Sequence, residues 1–170
     1  MTVVEYILRS IADLNGTIVE DVKALTPEQL AWKPAPGAGP IGFIFFHYMR
    51  SQDEIIAGLR KQPSVWTQGK WWEKMGTDPR TSGAGAKGAE LDKLAAIPLT
   101  TTMAYAEGVA KQSQDYMATI KDEDLETALD PARPRRTVVV MLRSFVVAHG
   151  WWHIGEVKYL KGLQGMPFAY

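Results

Sequence analysis

The chain of 170 residues and 18.9 kDa carries nineteen basic and nineteen acidic residues, so its formal net charge is zero and its pI lies near 6.8. A neutral chain has no global pull toward nucleic acid or acidic lipid, and neither is expected as a partner. The lack of cysteine excludes disulfides, thiolate metal ligands and a cysteine nucleophile, and it suits a reducing compartment.

One domain over residues 1–170 is expected at this length, with an ordinary hydrophobic share of 46 %. The first helical pattern runs over about 3–25, where Val4, Ile7, Ile11, Leu14, Ile18 and Val22 recur at spacings of three and four. Its start is not cationic and contains Glu5, which argues against a signal peptide. Thr26-Pro27-Glu28 reads as a cap with Pro at the first position of a short helical turn. PAPGAGP at 34–40 is then a rigid connector, followed by a second helix over 41–61. A third helix is expected over 101–120 and a fourth over 137–161, ended by Gly162 and Gly165-Met166-Pro167. The most apolar stretch, 138–152, is interrupted by Arg143, Ser144 and His149 and is too short to span a bilayer. A cytoplasmic location is therefore expected.

No segment alternates with a period of two, so the fold class is all-α, a four-helix bundle. The connection 62–100 is long for a bundle and can run the length of the molecule. That makes the second and third helices parallel and the order up-down-down-up. Trp66, Trp71 and Trp72 in this crossover should pack over the bundle. GAGAKG at 83–88 matches a dinucleotide-binding spacing, yet no strand precedes it, so it reads as a flexible loop. The arginines of PARPRR, Arg133, Arg135 and Arg136, read as a solvated loop.

Two of the chain's three histidines fall in HGWWH at 149–153. On a helix His149 and His153 lie about 40° apart, on the face of Leu142, Val146, Glu156 and Leu160. Imidazoles at i and i+4 can converge on one ion, or they can be two buried, hydrogen-bonded core residues. His47, in the apolar stretch IGFIFFHYM, lies about 10 Å from the start of its helix, and His153 about 12 to 15 Å from the end of its own. With those helix ends side by side, three neutral imidazoles would give a divalent metal three ligands and leave positions open for water or substrate.

The segments LTPEQLAWKPAPGAGPIGFIFFHYMRSQDE at 25–54 and HGWWHIGEVKYLKGLQGMP at 149–167 resemble the DinB/YfiT-like proteins. The likeness rests on an LT-x-E-x-L turn, a W-x-P-x-P-G segment before a helix with one histidine, and an H-x-x-x-H-x-G-[EQ] helix ending in a G-x-P tail. The resemblance implies a four-helix bundle holding a divalent ion, often nickel or zinc, on His47, His149 and His153. It also implies kinship with metal-dependent transferases that use thiols such as bacillithiol or mycothiol. Manganese or iron would suit the same ligands.

Without cysteine, a thiolate at such a metal would have to come from a small bound thiol. The alternative is activated water, with Glu156 or Glu54 as general base, and a third possibility is a stress protein that binds metal or ligand without catalysis. Arg50, Glu54 and Trp152 are the expected lining of the pocket for a small-molecule substrate. The opposite face of the last helix, with Val140, Val147, Trp151, Ile154 and Gly155, is unusually apolar, and a homodimer contact through Trp151 is expected there.

Overall fold

The structure is a computed structural model and describes residues 1–167. Its long helices are α1 (Val3–Val22), α3 (Ile41–Arg60), α7 (Leu99–Met117) and a last continuous helix. Short helices α2 (Pro27–Ala31), α4 (Val65–Gln68), α5 (Trp71–Met75) and α6 (Ala89–Ala95) lie between them. The last helix has three parts: α8 (Val138–Val140), a π-helical stretch Met141–Ala148 and α9 (His149–Leu163).

Local chemistry sets the ends. Thr2 and Glu5 form a reciprocal cap, and the Thr2 hydroxyl accepts the Glu5 N–H at 3.1 Å. The next two N–H groups, of Val3 and Val4, donate to Asp122 at 3.0 and 2.9 Å. Thr26 caps α2 in the same reciprocal way, with Pro27 leading the helix. Helix α3 stops where Lys61 turns left-handed at φ 54°.

Pair contacts give the order of the bundle. Asp122, just after α7, meets the start of α1, while Lys161 near the end of α9 meets Asp21 near the end of α1 at 2.8 Å. Tyr48 in α3 donates to Asn15 in α1 at 2.9 Å, and Ile56 packs in the cluster of Val4 and Ile7. Arg50 and Asp53 meet Tyr105, and Arg60, further along α3, bonds Gln112, further along α7, so the two helices run side by side in one direction. The order is up-down-down-up, as the long crossover implies.

The core runs along the bundle axis in two clusters, one around Leu14, Phe45, Tyr48 and Val157, the other around Ile7, Ile56, Leu142 and Val146. Each fully buried Leu, Ile or Phe contributes roughly 1.5–3 kcal/mol. Gly150 lets α9 approach α3 and α1 closely, because a Cβ there would sit 2.8 Å from the Tyr48 ring and 3.1 Å from Leu14. A larger residue would push α9 off α3 and α1.

One reading of the last helix is corrected. Ile154 is buried at 2 % exposure and belongs to the core, because α9 packs against α1 as well as α3. Trp151, where a homodimer contact is expected, is 47 % exposed and borders a cleft over α1 beside Ala12 and Gly16. The crossover tryptophans do pack inward, Trp66 at 2 % exposure and Trp71 and Trp72 against the core. No helix is long and apolar enough to cross a membrane among the described residues.

Candidate metal centre

His47 is two turns into α3, and His149 and His153 occupy the first two turns of α9, which runs antiparallel to α3. One nitrogen from each ring lies within 4.8 Å of the others, a group that could hold a metal ion. His149 Nε2 and His153 Nε2 are 2.9 Å apart, within reach of one ion at metal–nitrogen bonds of about 2.0–2.1 Å. The His47 ring stands edge-on to both, with centroids at 5.4 and 5.2 Å.

Hydrogen bonds fix which nitrogen of each ring faces inward. The Ser82 carbonyl can only accept, so His47 Nδ1 donates to it at 3.0 Å and Nε2 keeps its lone pair. His153 Nδ1 donates likewise to Glu156 at 2.7 Å. The close approach of His153 and His149 then needs a proton on His149 Nε2, and a cation would take that proton's place. His149 Nδ1 is buried without a hydrogen-bond partner among the described residues. The donor set is three imidazoles, two of them oriented by outer hydrogen bonds, and it fits a borderline divalent ion.

Electrostatics favours the neutral, ligating form. Burial pushes the His149 pKa down to about 4, helped by repulsion from His153 and His47. Burial also lowers that of His47, against the opposing bond to Ser82. The hydrogen bond from His153 holds the Glu156 carboxyl below its usual value.

The loop that looked merely flexible builds one wall of the site. Ser82 supplies the carbonyl to His47, and Gly83 presses on the same ring at φ 80°. A Cβ at Gly83 would lie 3.1 Å from His47 Nδ1 and 3.3 Å from Phe43, which stacks on His47 with centroids at 5.8 Å. Only the glycine density of 83–88 hinted at this in the sequence.

The imidazoles separate two cavities. One of about 440 Å³ is lined by Phe43, His47, Gly83, His153, Glu156 and Tyr159. The other, about 520 Å³, is lined by His47, Glu54, Ile55, Phe145, His149 and Trp152. Glu54 and Trp152 therefore sit where a substrate pocket was expected, with Trp152 at the lip, 70 % exposed. Arg50 does not. It is 3 % exposed and lines neither cavity, held by Glu54 at 2.6 Å, by the Thr81 carbonyl at 3.0 Å and over the Trp66 ring at 4.4 Å. Its charge is spent inside the crossover network.

A family model described as the DinB superfamily matches residues 17–157. The chain belongs to the DinB superfamily. A crystal structure of a conserved protein from Enterococcus faecalis superposes on this DinB chain with a TM-score of 0.78. It covers 95 % of this chain and 96 % of its own at 19 % identity, a likeness of fold alone. No curated protein matches the chain.

Proposed function

We propose that this DinB protein is a divalent-metal-dependent enzyme that transfers a low-molecular-weight thiol to an electrophilic small molecule. The observation that carries the reading is the convergence of three imidazoles, one nitrogen of each within 4.8 Å of the others, between two open cavities. His47, His149 and His153 would hold nickel or zinc, with manganese or iron as alternatives. Such an ion, when bound, lowers the pKa of a thiol beside it and supplies Lewis acidity.

The chain's own residues do the rest. The Ser82 carbonyl and the Glu156 carboxylate hold the rings of His47 and His153 in the ligating tautomer. Two cavities meeting at the imidazoles suit two reactants, a thiol on one side and its electrophile on the other. With no cysteine in the chain, the sulfur must arrive with a small molecule. The hydrolytic alternative has less support, because Glu54 is engaged by Arg50 and Glu156 by His153.

The test is a screen of electrophiles with and without bacillithiol, mycothiol or glutathione, on protein purified without a histidine tag and analysed for metal. Turnover that requires thiol and vanishes in His153→Ala is the expected result. Turnover without thiol would point to hydrolysis, and bound metal without turnover to a binding protein. Failure to take up nickel, zinc or manganese at stoichiometry would sink the metal centre.

A further inference from the structure

The cavity on the His149 side reaches the exposed ring of Phe145. Phe145 lines it and also lines a neighbouring groove of about 710 Å³, whose other walls are Val140, Pro134 and the arginines Arg133, Arg135 and Arg136. Phe145, exposed on the last helix, is the residue common to both linings. Taken together the two spaces lay out a path along that helix, from the imidazoles past the aromatic ring to a cluster of cations.

That cluster is held in place. Leu129 N–H donates to the Arg136 carbonyl at 2.9 Å, and Arg136 N–H to the Arg133 carbonyl at 2.9 Å, closing the turn. Val138 and Val139, the first residues of α8, donate their N–H groups to the Thr127 and Leu125 carbonyls at 3.2 and 2.8 Å. The turn is thus stapled to the start of the last helix. Since those helix N–H groups are already satisfied, guanidinium groups remain as the donors facing the groove.

Their charge is not matched internally. Arg133 pairs with Asp130 at 3.6 Å, and Arg136 Nε touches the Met141 sulfur at 3.4 Å. Neither Arg135 nor Arg136 has a carboxylate within ion-pair distance among the described residues. The groove's lining contains no acid. Two uncompensated guanidinium groups beside an aromatic ring suit a small anion with an apolar body. Val140 and His149 are nine residues apart, which sets the path at about 10–14 Å.

We propose that this path seats an elongated amphipathic carboxylate, its acid group on Arg135 and Arg136, its apolar body on Phe145, and its other end at the three histidines. The proposal rests on the functional reading above in taking the histidine end as the reacting one. It names the substrate class as an aryl- or alkyl-chain acid whose electrophilic centre is remote from its carboxylate. Bidentate guanidinium contact would fix register along the path, so the carboxylate selects substrates without touching the chemistry.

The probe is 6-phenylhexanoate, with 6-phenylhexanamide as its uncharged match, titrated calorimetrically into metal-stripped and zinc-loaded protein. The acid is expected to bind about ten-fold tighter than the amide, since charge-assisted hydrogen bonds outweigh neutral ones. The double variant Arg135→Gln/Arg136→Gln, at two exposed positions, should erase that preference and leave zinc uptake unchanged. Phe145→Ala should weaken acid and amide alike. Equal binding of acid and amide, no binding of the acid, or a preference that survives the double variant would each overturn the proposal. So would a preference seen only with zinc and indifferent to the arginines. Because the acid is read on metal-stripped protein, failure of the metal centre and failure of this site are separately visible.

Discussion

His149 is the residue on which the centre's acid response turns. In the unfolded chain it takes a proton at its ordinary pKa of 6.5, whereas in the fold burial, then His153 and His47, push that to about 4. Between those values the unfolded state binds the extra proton, so stability falls as pH drops. The loss begins below about 6.5 and is complete near 4, while above 6.5 both states are neutral and His149 contributes no slope. Glu156 opposes the shift without cancelling it. His149→Gln, which cannot be protonated, should therefore flatten the fall in urea-unfolding free energy of metal-free protein between pH 6.5 and 4. An unchanged slope would mean that the ring is already solvated in the folded state.

At the scale of elements, the crossover between α3 and α7 is held by one buried carboxylate. Asp53, with no exposure, accepts the N–H groups of Val65 and Trp66 at 2.9 Å each, the Tyr105 hydroxyl at 2.6 Å and the Gln112 amide at 2.7 Å. It thereby caps α4 and ties it to α7. Burial and the adjacent Asp53 charge hold the Tyr105 hydroxyl pKa well above its usual value, so it remains a donor. Asp53→Ala would leave those donors without their acceptor and remove the 3.7 Å ion pair with Arg50, which keeps Glu54 and the Thr81 carbonyl. A cost of about 3 kcal/mol or more is expected in chemical denaturation, with earlier proteolytic cutting in 62–88 than in the wild type. The sequence could not announce this. Asp53 sits in SQDE among polar neighbours, and its partners lie in residues 65–112, joined only by the fold. Long-period signals were legible: the stripe of α1, the Thr26-Pro27 cap and the i,i+4 histidines all depend on neighbours along one helix. Ile154 was misplaced because α9 packs against two helices, α1 as well as α3, and a stripe read along one helix does not show a second neighbour. Gly83 was legible only as a glycine, since the His47 ring that leaves no room for a Cβ there lies across the cleft.

Taken as a whole, the molecule places its histidines on two antiparallel helices joined through more than half of the chain, His47 on α3 and His149 and His153 on α9. Residues 48–148 separate them in sequence, so an ion at this centre would close a very long loop as well as satisfy three lone pairs. Any ligand that binds the folded state and not the unfolded one stabilises by RT ln(1 + [L]/Kd), about 2.7 kcal/mol at a hundred-fold excess over Kd. For a chain of this size each kcal/mol raises the melting temperature by about 2–4 °C, so zinc or nickel at that excess should raise it by about 5–10 °C. Chelation by EDTA should reverse the shift. His47→Ala should remove most of it by leaving both remaining ligands on one helix, where binding no longer clamps α3 to α9. Differential scanning calorimetry of tag-free protein decides the matter. A shift of equal size in wild type and His47→Ala would place the ion elsewhere, on the α9 pair or at a surface carboxylate, and would detach the crossover wall at Ser82 and Gly83 from any role in holding it.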